Sequence, residues 1–283
     1  MRAQELTAAI LAPPLAPIGH GDRQLVRHSL TNAIPAMVEH LPLGDQVVVT
    51  LAMLRQIARD PAALSRPEEP FAWKPAFVRR SLGLSAVDSC INHRFSSPTE
   101  AVGPIADQAI AEWSRTGWRT FYWEPWIAAL HPAARSTVMA EAATWATTLW
   151  ASIDWHCFDS PLRLGGPDDQ WACTAARTVR LRGRSELQVR LGAAHGEGAE
   201  STALVSVATG IPRTGWETEL GFLALVASLR SPSRPVPSRV VGLWPDAGQY
   251  RSVDITSGVL TATGDRVIAC IGAVVDARMS MVG

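Results

Sequence analysis

Lysine is almost missing from this chain. Lys74 is the only one, so arginine supplies the rest of the 26 basic side chains. A bias of that kind fits a GC-rich genome as well as selection for binding. The bases are balanced by 26 acids, so no global basic field draws the protein to nucleic acid. Cysteine is sparse too: Cys90, Cys157, Cys173 and Cys270 are scattered, with no C-x-x-C pair. Such spacing argues against a zinc ribbon and fits reduced, mostly buried thiols in a cytoplasmic protein. No apolar run approaches the ~20 residues of a membrane span, so neither a transmembrane helix nor a membrane partner is expected. A G-x-S-x-G nucleophile motif, a phosphate loop and a dinucleotide fingerprint are all absent, which leaves serine-hydrolase and nucleotide-cofactor chemistry without support. No internal repeat or low-complexity tract stands in their place.

What is present is the composition of a soluble globular protein, 47% hydrophobic and 18% charged over 283 residues. That length suits one large domain or two small ones. Residues 8–19 are short, broken by Pro13, Pro14 and Pro17, and preceded by Glu5 as well as Arg2. They read as a frayed helix running into a proline-rich arm, ordered on a partner, rather than as a signal peptide. Helical spacing follows over 22–39 and 45–58, and the proline- and acid-containing stretch 60–75 reads as a linker. An N-terminal arm and helical cap over 1–70 is therefore expected. Further helices are expected over 77–93, 100–115 and 132–150, with Ser97-Pro98 as a start signal. Arg79 and Arg80 open the first of these and suit phosphates, an acidic partner or plain solvent. Trp113, Trp118, Phe121, Tyr122, Trp123 and Trp126 crowd one segment and suit a core, an interface or base stacking. A short strand is expected over 153–158 and a turn-rich loop over 161–170.

The chain is organised around residues 178–229. Apolar and polar residues alternate from 178 to 191, the period of a half-buried strand. A loose glycine-rich turn over 192–200 leads to a second strand, 201–207. After Gly210 and Pro212 the spacing turns helical through Leu220, Leu223, Ala224 and Ala227. A connector over 231–237 precedes a hairpin, 239–244 with 250–255. A closing helix over 257–276 carries Val259, Thr263, Val267, Cys270, Ile271 and Val274 as its buried stripe.

These residues carry a resemblance. Gly183-Arg184-Ser185-Glu186 resembles the G-R-x-D strand motif of the PD-(D/E)XK nuclease superfamily, in its RecB-like branch. Val205-Ser206-Val207-Ala208-Thr209-Gly210 is similar to that family's V-D-Y-K-T-G, and the run from Glu219 to Leu225 to its Q-L-x-x-Y-A-L helix. The resemblance implies an α/β fold, a mixed central sheet flanked by helices behind a largely helical N-terminal half. It places a nuclease-like domain at 71–283 with core motifs over 178–276. An ordinary α/β core segment is the other reading of the same stretch.

In that family a carboxylate on each of two strands holds Mg²⁺, and a lysine two residues beyond the second assists the attacking water. Here Glu186 keeps the first carboxylate. Ser206 replaces the second, Ala208 replaces the lysine, and Leu223 replaces the helix tyrosine. The degenerate motif positions are thus Glu186, Ser206, Ala208 and Glu219, with no metal and no cofactor expected. The cysteines also lack the downstream cluster that holds an iron–sulfur centre in some members. The expectation is a catalytically inactive nuclease-fold protein, a binding or scaffolding subunit of a nucleic-acid-processing or defence assembly with a protein partner. One alternative is a Mg²⁺-dependent nuclease with relocated acids drawn from Asp107, Glu186, Glu217 and Glu219. Asp107 comes from a weak likeness to an early-helix G-x-x-x-H motif, and a solvated aspartate reads equally well there. Another alternative is an interaction module with no nucleic-acid role. If nucleic acid is contacted, Arg180, Arg182, Arg184 and Arg190 share one strand parity opposite Val179 and Leu181, with Arg177 nearby. Arg213 would join them from the turn.

Overall fold

Two hydrophobic cores organise the chain, and a four-stranded sheet divides them. The structure is a computed structural model that describes residues 2–13, 18–42, 45–60, 71–158, 164, 169–176, 178–191, 201–230 and 236–282. The readings at 14–17, 61–70, 159–163, 165–168, 192–200 and 231–235, and the one on Arg177, lie outside the described residues.

The first core is mainly helical. It gathers α1 (Ala3–Leu11), α4 (Pro75–Ile91), α5 (Pro98–Thr116), α6 (Glu124–Ala128) and α7 (Pro132–Ser152). Prolines sit in the first turn of α4, α5, α6 and α7, where a missing N–H costs nothing. Ser97 caps α5 by accepting from Glu100 N, and Gly117 closes it in the left-handed region at φ 71°. Gly83 lets α4 and α7 approach: a Cβ there would lie 2.5 Å from the Trp145 ring.

The sheet comprises β4 (Leu187–Leu191), β5 (Ser201–Val207), β6 (Pro237–Trp244) and β7 (Gln249–Asp254), in that order. β4 and β5 are antiparallel, as are β6 and β7. β5 and β6 are parallel, joined by the crossover helix α8 (Trp216–Arg230). Strand alternation divides the cores: Val205 and Val241 face the α4–α7 layer, Leu204 and Val240 the other. The second core holds α8, α2 (His20–Val38), α9 (Ser257–Val282) and a small second sheet. In that sheet β3 (Val179–Gly183) lies between β1 (Val47–Thr50), parallel to it, and β2 (Asp169–Ala172), antiparallel.

The architecture is mixed α/β, and it departs from the sequence reading in several places. The described strands form two sheets instead of one. The expected strand over 178–191 is two strands, β3 and β4, one in each sheet. At Gly183 the chain passes tightly against α8, where a Cβ would lie 3.3 Å from Leu223, and the ladder stops there. Val47–Thr50 is a strand, as four consecutive β-branched residues favour, and the helix α3 (Leu51–Arg59) starts only at Leu51. Thr50 caps it by accepting from Met53 N at 3.2 Å. The strand expected over 153–158 is a 3₁₀ turn, Trp155–Cys157, in which Asp154 accepts from His156 N.

The first helix is packed rather than frayed. Leu6 and Ile10 are fully buried, and Thr7 Oγ1 accepts from Asp154 N at 2.9 Å. Arg239 anchors the helix end by donating to the Ala9 and Ala12 carbonyls while its Nε holds Asp254. At the other terminus α9 is long and apolar enough to cross a membrane by length and composition. Of its expected stripe, Thr263, Val267, Cys270, Ile271 and Val274 are nevertheless buried, with Leu260 in place of the half-buried Val259, as a core helix requires.

Candidate functional site

Glu186 sits where the chain passes from one sheet to the other. Its backbone N–H donates to Val205 O at 2.9 Å, which aligns it at the head of β4. The side chain is 2% exposed and turns toward the end of β5. One carboxylate oxygen accepts from Val207 N at 2.6 Å, and the other pairs with Arg80 of α4. Arg80 Nε in turn donates to Val207 O at 2.9 Å. Arginine and glutamate together therefore satisfy both backbone groups of Val207. A carboxylate this buried is costly without partners, and here each oxygen has a charge-assisted or backbone bond. The neighbouring Arg79 acts in a similar way. Together with Gly210 N it meets Asp246, bracing the turn after β5, where Gly210 takes φ 81°.

The other motif positions do not converge on this carboxylate. Ser206 alternates with Val205 and Val207, which places it with Leu204 on the α8 side of the sheet, whereas Arg80 arrives from α4 on the opposite side. Ala208 donates its N–H to Leu243 O and brings no functional side chain. Glu219 lies in the first turn of α8 and is held by both nitrogens of an Arg55 fork, at 2.7 and 2.5 Å. Asp107 pairs with Arg135 at 2.5 Å, and Glu217 is exposed. Among the described residues no group of three or more His, Cys, Asp or Glu side chains is placed to hold a metal. A divalent ion does not fit at Glu186: its oxygens are already engaged, and its nearest charge is a cation.

Beside Arg80 opens a cleft of about 1310 Å³. Five arginines line it (Arg80, Arg94, Arg119, Arg182 and Arg184) against two acids, Asp88 and Glu112. Phe71, Trp73 and Phe77 form an aromatic shelf at its margin. Phe71 meets Trp73 edge-on at 5.1 Å and stacks with Phe77 at 5.9 Å, yet remains 70% exposed. Phe121 and Tyr122 complete the lining. Tyr122 is 67% exposed and takes φ 66°, an unusual conformation for an aromatic residue. Fully buried Glu124 fixes that rim, accepting from Thr120 N at 2.7 Å and Phe121 N at 2.8 Å.

Comparison of the chain with protein-family models, curated proteins and solved structures gave no match.

The structure thus gathers some of the arginines named from sequence and leaves others out. Arg182 on β3 and Arg184 in the β3–β4 connector both line the cleft. Arg180 is half-buried on β3, Arg190 is exposed on β4, and Arg213 is exposed beyond β5; none lines it. The common parity of Arg180, Arg182, Arg184 and Arg190 required one unbroken strand. Arg94, Phe71 and Phe77 escaped the sequence reading altogether. The visible signal was Phe71, Trp73 and Phe77 spaced just ahead of Arg79-Arg80, where α4 begins.

Proposed function

We propose that this protein is a catalytically silent, nuclease-like binding or scaffolding subunit of a nucleic-acid-processing or defence assembly, contacting nucleic acid through the arginine-lined cleft. The observation that carries this reading is the Arg80–Glu186 pair. An arginine occupies the one carboxylate that the resemblance would assign to Mg²⁺. Ser206 and Ala208 supply neither the second acid nor the lysine. Each missing group typically costs a few kcal/mol of transition-state stabilisation, on the order of 10²–10³ in rate apiece. The cleft supports the binding half of the proposal, because arginines interleaved with exposed aromatic faces suit a phosphate backbone carrying planar rings. The free thiols agree with a cytoplasmic site of action.

Incubation with single- and double-stranded DNA and RNA in Mg²⁺ or Mn²⁺ tests the silent site. No cleavage is expected. Turnover that disappears in Glu186→Ala would overturn it. A salt titration of binding tests the other half: retention of a co-purifying protein partner with no nucleic-acid affinity at low salt would favour a pure interaction module.

A further inference from the structure

We infer that Arg80 is the fixed cation of a phosphate seat in this cleft, one that works without a divalent ion. The inference rests on the reading of the cleft as a nucleic-acid contact and specifies how that contact is made. Arg80 Nε donates to Val207 O and Nη2 pairs with Glu186, neither of which engages Nη1. The side chain is 29% exposed and lines the cleft. Two anchors therefore hold the guanidinium in one orientation while a free edge remains for an incoming anion. Arginine stays charged throughout the working pH range and offers a planar fork suited to phosphate oxygens. Because the fork is already ordered, little further entropy is lost when a ligand arrives. Glu186 is the counter-charge that makes burial of the stem tolerable.

The rest of the lining specifies the ligand class. Arg94 and Arg119 are exposed and make no ion pair among the described residues, so they extend the charge along the cleft. Phe71, Phe77 and Tyr122 line it and remain exposed. Phosphates alternating with accessible planar rings describe a single strand, since a duplex keeps its rings stacked inside. Recognition by phosphate and ring makes no use of the sugar, so DNA and RNA strands should bind alike.

Fluorescence anisotropy with short labelled single strands of DNA and of RNA, each in EDTA and in Mg²⁺ at low salt, tests the inference. Wild type should bind in EDTA at least as tightly as in Mg²⁺, which competes for phosphates, and more weakly to a duplex of the same sequence. Arg80→Ala strands a buried carboxylate and is prone to unfold. The working variant is therefore Arg80→Met with Glu186→Gln, which removes both charges together. It should lose about tenfold in affinity, and the slope of log affinity on log salt should fall by about one. Arg80→Lys, which keeps the charge without the fork, should keep the slope. Thermal melts confirm that each variant is folded. Binding that collapses in EDTA, a strict requirement for the 2′-hydroxyl, or an undiminished affinity in the folded double variant would overturn the seat while leaving nucleic-acid contact intact. No binding by wild type at low salt would remove both.

Discussion

Glu124 shows how a single side chain can hold a rim in place. One of its oxygens accepts two successive backbone N–H groups, and the segment that carries exposed Tyr122 is pinned as a result. Glu124→Ala leaves those donors unsatisfied, and a loss of about 1–3 kcal/mol in chemical denaturation is expected. Faster proteolysis near Tyr122 in native buffer should accompany it. The thiols make a second test at this scale. Cys90, Cys173 and Cys270 are buried, whereas Cys157 is exposed and should be the one that reacts in the native state. A hydrogen bond with Asp154 raises the Cys157 pKa and so holds back its thiolate; Asp154→Asn should accelerate the reaction. Burial pushes the Cys270 thiol up to about 12 from 9.0. The folded state thus holds this proton more tightly than the unfolded chain does. Its contribution is fully present below about pH 9 and is lost as pH rises toward 12, at a slope near 1.4 kcal/mol per pH unit. Urea denaturation across that window should show a shallower decline for Cys270→Ala than for wild type.

At the scale of elements, helix contacts are tighter at some glycines than others. Gly83→Ala drives a methyl into Trp145 at the α4–α7 crossing, and a loss of about 1–3 kcal/mol is expected. Gly21→Ala near the start of α2 meets nothing within 4 Å and should gain up to about 0.5–1 kcal/mol, because alanine is the better helix former. Melting temperatures of the two variants should therefore move in opposite directions. The long helices were legible in sequence because their apolar periodicity is local, as is the Ser97-Pro98 start signal of α5. The break between β3 and β4 was not. The period of two continues on both sides of Gly183, so Val179, Leu181, Leu187 and Val189 look like one strand. Only the tertiary contact with Leu223 and Val226 reveals where the ladder ends. Residues 47–50 illustrate the reverse case, since three valines suit a buried helix or a strand equally until a partner strand is known. That partner is β3, far along the chain, with Val47 opposite Val179.

At the scale of the whole molecule, the N-terminal segments are built into both cores. Leu6 and Ile10 pack with the α4–α7 layer, while Val26, Leu30 and Ile34 of α2 pack with α8 and α9. Leu6→Ala should therefore cost about 2–5 kcal/mol, as deletion of a fully buried leucine does elsewhere, with a lowered midpoint of chemical denaturation as the readout. The α/β class and the order of strand, strand, helix, strand, strand, helix from β4 to α9 were readable from periodicity. The candidate site was readable only in part. Glu186 could be named from the sequence, but the residue that pairs with it could not. Arg80 lies more than a hundred positions upstream, and nothing local to either residue records their contact. The same holds for the cleft, whose arginines come from separate segments of the chain.

The most direct test is an experimental structure determined from crystals soaked in Mn²⁺, with anomalous scattering used to locate the ion. Arg80 should remain against Glu186 and Val207, with no metal at the carboxylate. An Mn²⁺ peak at bonding distance from Glu186, roughly 2.0–2.2 Å as for hard divalent ions on oxygen, with Arg80 displaced, would contradict the metal-free reading.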